Sequence, residues 1–364
     1  MGISPDRLDL TMNEISSLTE FLEAIGYHLD FFDMGRRVEL IPRDEFVQFE
    51  QTHIAYPMPL QQQAWVGLLL SDPANQNTEH LIWFIRFPLD ELGKLVLGAR
   101  DEFLHRLVES AELHQQSGKD RANLEKGLQE NPYVFRPRPE RMAIFHAKVT
   151  RLLGQAPSRY YGHALDYFTG KLGWEQWSFL GYQGIADVAV RHAMDRDHPI
   201  LASAIPLLPP PSLEALCQCL ENQEISEKLS AALMNRADQM LTDSVPDPRL
   251  LSVCIRGLAL SPMHAAKQAF IQQLLSHEVA RQGDILAAIS GRSWELLLNE
   301  EIRDRFLECL AVNGQGQDLF NSLLSDLLLL PETRSLMLGS LRNQARSKQL
   351  DLAIGNFFSQ LRRH

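Results

Sequence analysis

From Ser212 onward the chain repeats one pattern, an amphipathic helix, a break and a second amphipathic helix, which returns every 32–38 residues. First helices are predicted to begin near Ser212, Pro248, Asp284 and Asp318, and second helices near Glu224, Pro262, Asn299 and Pro331. Each carries a single apolar stripe at intervals of three, four and seven residues, such as Leu213, Leu216 and Leu220, or Ile302, Phe306 and Leu310. A pair of such helices cannot bury both stripes alone, so neighbouring pairs have to cover them. The spacing falls in the size range of stacked HEAT or TPR hairpins. Stacks of this kind present long surfaces to other molecules, which directs the functional reading toward holding a partner rather than transforming a substrate.

The N-terminal part follows a different rule. Leu18, Phe21, Leu22 and Ile25 share a helical face, and Gly26 is placed to cap it. Strands are expected at Tyr27–Asp33 and Arg36–Ile41 around a Met34-Gly35 turn, then at Ala64–Ser71 and His80–Phe87 joined by the polar loop Asp72–Glu79. Apolar residues on both faces of the last strand suit a central strand covered on both sides. The expected fold is an α+β domain over 12–130, with a sheet of about four strands and flanking helices, and Gln115–Gln129 as a loose polar connection. A helical, basic and aromatic-rich middle segment follows over 131–205, and an all-α, HEAT-like array of helical hairpins over 206–364. The residues before Met12 read as an extension, and Lys348–Leu361 with its Arg362-Arg363-His364 end as a cap on the array.

Charge divides along the same lines. Residues 1–133 carry a net −11, residues 134–199 a net +3 and residues 200–364 a net −3. A chain this acidic is a poor general binder of nucleic acid, so such a role would fall to the middle segment. Cys217, Cys219, Cys254 and Cys309 all lie in expected helices, where a buried thiol is the natural reading. Reduced thiols, with neither a signal-like N-terminus nor an unbroken apolar span, point to the cytoplasm and to no membrane partner.

No motif reaches a named chemistry or cofactor. Gly314-Gln-Gly316 before Asp318 imitates a phosphate loop but follows a helix rather than a strand, so a turn between repeats is expected. His192, Asp195, Asp197 and His198 are the densest group of possible metal ligands and could support a metal-dependent hydrolase. The competing reading is a solvated helix end, with Arg196 competing for the carboxylates. His146 and His163 near Asp166 could be drawn as a catalytic pair, or be ordinary histidines packed in a helical core. Small residues at Gly181, Gly184, Ala186 and Ala189 after Trp174, Trp177 and Phe179 suggest two helices in close approach, with the Trp rings covering the crevice. The basic and aromatic segment offers the candidate partner-binding residues: Tyr133, Phe135, Arg136, Arg138, Arg141, Lys148, Arg151 and Arg159. These could grip a protein partner, stack and neutralise a single-stranded nucleic acid, or lie against the acidic N-terminal domain.

At Asn131-Pro-Tyr-Val-Phe135, Met142-Ala-Ile-Phe-His-Ala147 and Gly184-Ile-Ala-Asp187 the chain resembles a family of proteobacterial proteins known only as a domain of unknown function. The resemblance runs from about Met12 to the last helix. It implies a bacterial cytosolic protein and brings no reaction, cofactor or catalytic residue with it. Together these readings favour a non-enzymatic protein–protein adaptor, with an RNA- or single-strand-binding accessory factor as the alternative and the metal-dependent hydrolase behind both.

Overall fold

The computed structural model describes residues 17–24, 26–71, 80–112, 131–343 and 345–361. The extension before Met12, the Asp72–Glu79 loop, the Gln115–Gln129 connection and the terminal Arg362-Arg363-His364 lie outside the described residues. The chain divides into two compact units, one running to Pro137 together with Leu329–Pro331, the other comprising Arg138–Leu328 and the chain from Glu332 on. The first is α+β and the second is all-α.

In the first unit four antiparallel strands, β1 (His28–Asp33), β2 (Glu39–Ile41), β3 (Gln63–Ser71) and β4 (Leu81–Pro88), pair in the order β2-β1-β3-β4. Alternation along β3 and β4 sends Ala64, Val66, Leu68 and Leu70, and Leu81, Trp83, Ile85 and Phe87, into one core. Helices α1 (Leu18–Ala24), α2 (Arg43–Glu50) and α3 (Leu97–Glu112) cover that face with Phe21, Phe46, Phe49 and Phe103. α1 is latched at its start: Ser17 Oγ accepts from Glu20 N at 3.0 Å, and the buried Glu50 carboxylate accepts from Leu18 N and Thr19 Oγ1. Strand β4 lies at the sheet edge rather than in its centre. The segment at 131–135 runs along its free edge, where Arg86 N donates to the Tyr133 carbonyl, Phe135 N donates to the Phe84 carbonyl and Val134 bridges Ile85, while the Phe135 ring packs on the half-buried outer face 4.9 Å from Trp65.

The expected strand at Arg36–Ile41 is shorter than its pattern suggests, because Asp33 recruits the residues ahead of it. Its carboxylate accepts from Arg37 N at 2.9 Å and from Tyr56 Oη at 2.9 Å, while Arg36 Nε donates to Pro59 O. Arg36 and Arg37 are therefore buried in a polar knot, and pairing resumes only at Glu39. Gly35 has to be glycine in this turn, since a Cβ would stand 2.9 Å from the Trp65 ring.

The second unit is two layers of helices. One layer holds α4 (Pro139–Leu152), α6 (Tyr182–His192), α8 (Pro210–Leu220), α10 (Pro248–Gly257) and α12 (Gly283–Arg292), each packed on the next. The other holds α5 (Tyr161–Phe168), α7 (Ile200–Ala204), α9 (Glu227–Thr242), α11 (His264–Leu275), α13 (Glu300–Ala311) and α16 (Lys348–Leu361), again each against its successor. Between α13 and α16 the chain forms α14 (Gln317–Leu329) and α15 (Pro331–Ser340). The starts read from the sequence agree with these bounds to within a few residues. The two layers also extend back through α4–α7, so the middle segment stacks as the later pairs do. Prolines begin α8, α10 and α15 or stand within the first two positions of them, where a missing N–H leaves no helical bond unmade. Asp247, Ser226 and Asn299 cap α10, α9 and α13 with side-chain oxygens.

The close approach expected around Gly184 is real and lies between α5 and α6. A Cβ at Gly184 would stand 2.7 Å from the Tyr160 carbonyl oxygen and 3.1 Å from Ala164 Cβ. Trp174 packs edge-on to Tyr167 at 5.3 Å, but Trp177 and Phe179 do not roof the crevice; both are exposed. Replacing Gly184 with Val is expected to lower unfolding free energy by about 2 kcal/mol or more, because the neighbour it meets is backbone. Gly181→Ala, in open space, should change it by at most about 0.5 kcal/mol. Urea titrations of the two variants check both.

Candidate interaction surface

Helix α8 ends at Leu220, and the next residue, Glu221, is 1% exposed. A carboxylate there suffers twice, from burial and from the negative end of the helix dipole. Three guanidinium groups from three other helices answer it: Arg256 Nε of α10 at 2.5 Å, Arg292 Nε of α12 at 2.9 Å and Arg141 Nη2 of α4 at 3.5 Å. Burial pushes the Glu221 carboxyl up, but Arg292, Arg256 and Arg141 together outweigh it and hold it down at about 2. The neighbouring Asn222 donates to the Gln218 and Cys219 carbonyls, accepts from Arg141 Nη1 at 3.3 Å, and offers its own carbonyl to Lys148 Nζ.

This cluster belongs to a ladder. Glu214 and Glu221 are seven residues apart on α8, Arg249 and Arg256 seven apart on α10, and Arg141 and Lys148 seven apart on α4. Seven residues is two helical turns, so each pair lines one face. Arg249 Nη2 meets Glu214 Oε2 at 2.5 Å, forming a second rung beside the Glu221 rung. The signal was present in the sequence as this repeated spacing, but nothing there says that the three helices meet at the end of α8.

The ladder divides the candidate partner-binding residues. Arg141 and Lys148 tie α4 to the end of α8, and Arg151 donates to the Val190 carbonyl at the end of α6. Tyr133 and Phe135 belong to the first unit: Tyr133 Oη donates to Glu102 at 2.8 Å, and Phe135 packs on Trp65 and Phe84. Arg136 and Arg138 are exposed. Arg159 is also exposed, lies 4.9 Å over the Tyr160 ring and donates to its hydroxyl. Arg141 thus meets its carboxylate inside the second unit itself.

Several large aromatic side chains stand exposed without a signal in the sequence. The 3₁₀ turn Trp174–Phe179 buries none of its residues, although it packs beside α5. Phe179 is 72% exposed, and Trp177, Tyr182 and Tyr160 are each exposed by more than a third. Trp177 and Phe179 share that one short turn, and large rings left in water in this way are candidate contact positions.

The remaining candidates separate. His192 Nδ1 is 2.7 Å from Asp195 and its Nε2 is 2.7 Å from Tyr161 Oη, so both ring nitrogens are engaged within the chain. Asp197 and His198 are exposed. Among the described residues no group of three or more His, Cys, Asp or Glu side chains is placed to hold a metal ion. The turn that His192 and Asp195 brace forms one wall of a cleft of about 860 Å³, whose other walls are Glu224–Lys228, the Ala259–Lys267 stretch and Glu295-Leu296. Asp166 pairs with Lys171 at 2.6 Å, His163 is exposed, and burial lowers the pKa of His146. Gly316, at φ +80, makes the Gly314-Gln-Gly316 segment a turn between α13 and α14. Cys217, Cys219 and Cys254 are buried and Cys309 is half-buried; burial pushes every thiol up, that of Cys254 to about 12.

Residues 13–358 match the family model DUF3549, described as a protein of unknown function, and the chain belongs to that family. No curated protein and no solved structure matches it. Among the described residues no helix is long and apolar enough to cross a membrane.

Glu221→Gln leaves three guanidinium groups without their shared anion and should cost about 3 kcal/mol at neutral pH, read from urea unfolding. The native carboxyl titrates below its ordinary value, so its contribution is complete above 4.5 and is lost as pH falls toward about 2. Across that window the wild type should lose stability more steeply than Glu221→Gln, and parallel curves would exclude the assignment.

Proposed function

We propose that this protein is a non-enzymatic adaptor of the bacterial cytoplasm whose second unit, a stack of HEAT-like helical hairpins, holds a partner protein. The observation that carries this reading is the exposure of large aromatic side chains on the second unit, Phe179 and Trp177 on one short turn and Tyr160 and Tyr182 at the starts of two helices. Leaving those rings in water costs solvation free energy that only a partner recovers, and Trp and Tyr are the residues in which interface energy concentrates. The cleft over four successive helix pairs adds a concave surface of mixed polarity. The four unbridged thiols fit a reducing compartment.

A second reading, single-stranded nucleic acid, is favoured by one arrangement: the exposed Arg159 guanidinium lies over the exposed Tyr160 ring, a pair that could neutralise a phosphate and stack a base. The two readings differ in their salt dependence, since phosphate binding must fall steeply with salt.

The test is crosslinking mass spectrometry on tagged protein, with the double variant Trp177→Ala, Phe179→Ala beside the wild type. Truncating Phe179, 72% exposed, should change stability by at most about 0.5 kcal/mol, and urea unfolding of the double variant measures what the partly buried Trp177 adds. Recovery of the crosslinked partner should drop about tenfold or more, the loss of one or two hot spots. Arg136→Glu with Arg138→Glu probes the exposed part of the basic segment without disturbing Glu221. Partner recovery unchanged in both double variants would refute the adaptor reading at these surfaces.

A further inference from the structure

Asp195, His192 and Tyr161 stand in line. Asp195 Oδ2 lies 2.7 Å from His192 Nδ1, and His192 Nε2 lies 2.7 Å from Tyr161 Oη, with the two rings 9° from parallel. Three pieces of backbone meet here: Tyr161 opens α5, His192 closes α6 and Asp195 belongs to the turn after it. The proton positions follow from the carboxylate. It can only accept, so Nδ1 of the neutral imidazole carries the hydrogen, Nε2 presents its lone pair and the phenol donates to it. Acid, imidazole and hydroxyl in this order allow a hydroxyl oxygen to attack an electrophile. The imidazole receives the proton while the acid holds the ring in the right tautomer.

The surroundings indicate which electrophile. Burial pushes the Tyr161 phenol up, Arg191 draws it down, and Asp195 and Asp187 push it up again. At neutral pH the oxygen therefore keeps its proton until a base removes it, and His192 is the base in contact. Two carboxylates and one guanidinium act on this phenol, so an anionic phosphoryl donor is repelled and a neutral carbonyl is not. Arg191, anchored through Nη2 to the Gln155 carbonyl at 3.1 Å, supplies positive charge for the oxyanion that attack on a carbonyl creates. The three groups keep contact with solvent: the His192 and Asp195 side chains are 17% and 30% exposed, and Tyr161 is half-buried.

We propose that Tyr161 is an acyl-acceptor site, which takes the acyl group of an activated ester with His192 as its base and Asp195 as the positioning residue. Tyr161 Oη bonds to the ester's carbonyl carbon as the phenolic proton passes to His192 Nε2. The bond from that carbon to the alcohol oxygen then breaks, and the alcohol leaves with the proton. Tyr161 ends as an O-acyl tyrosine and His192 is neutral again. One transfer per chain is a mark on the protein and not a turnover, so this chemistry goes beyond the adaptor reading without replacing it.

The test treats the full chain with p-nitrophenyl acetate and follows acetylated peptides by mass spectrometry over time. Tyr160 is the internal reference: it is adjacent, 46% exposed, and its hydroxyl accepts from Arg159 at 2.7 Å. Exposure alone favours Tyr160, whereas base assistance should make Tyr161 react about tenfold faster or more. His192→Gln should slow Tyr161 about 100-fold and leave Tyr160 unchanged. Asp195→Asn, which favours the wrong imidazole tautomer, should slow Tyr161 about tenfold or more. A hydrogen-bonded brace with no chemical role predicts none of these differences. Tyr160 reacting as fast as Tyr161 in the wild type overturns the proposal, and so does a Tyr161 rate that His192→Gln leaves unchanged. The wild-type comparison needs no variant, and circular dichroism verifies the fold of the others. Partner recovery plays no part in this readout, so its failure and that of the adaptor reading are distinguishable.

Discussion

Taking the Glu221 carboxylate out of water at the end of a helix demands compensation, and four helices of the second unit meet in supplying it. Glu221 sits where burial and the α8 dipole both oppose ionisation, yet it is held ionised because cations arrive from α4, α10 and α12. No apolar stripe could impose the same condition. A leucine stripe tolerates a shift along a neighbour's groove at modest cost, whereas a buried ion that loses a partner is left uncompensated. The ladder therefore sets which helices may be neighbours and in what register, while the apolar stripes supply most of the driving force.

The first unit solves a smaller version of the same problem. Asp33 gathers Tyr56 Oη and Arg37 N, and Glu50 gathers the first amides of α1. In both units a buried acid fastens an element that sequence propensity alone would leave loose. Asp33 and Glu50 accept from backbone amides and hydroxyls of their own unit, whereas Glu221 draws guanidinium groups from three separate helices.

How much of this the sequence disclosed depends on the range of the interaction. Helix positions from Pro210 to Leu361 were legible because each helix declares its buried face within its own few turns. The α+β character of the first unit was legible in the alternation of β3 and β4, but β4's place at the edge was not, since the covering residues at 131–135 come from a distant stretch of chain. The basic residues show the limit best. Arg136, Arg138, Arg141 and Lys148 look alike as a string, but only the last two fall on the face of α4 that meets the end of α8, more than seventy residues later. Trp177 and Phe179 misled in the opposite sense, because large rings beside small residues imply packing, and their exposure depends on a turn whose direction has no local signature.

The two rungs share one helix. Glu214 projects from α8 and Glu221 from the residue that follows it, so one rotation of the helix about its axis would draw both carboxylates away from Arg249 and Arg256. Two anchors placed two turns apart on a stiff rod therefore resist twisting jointly, and an orientation error at one end would be felt at the other.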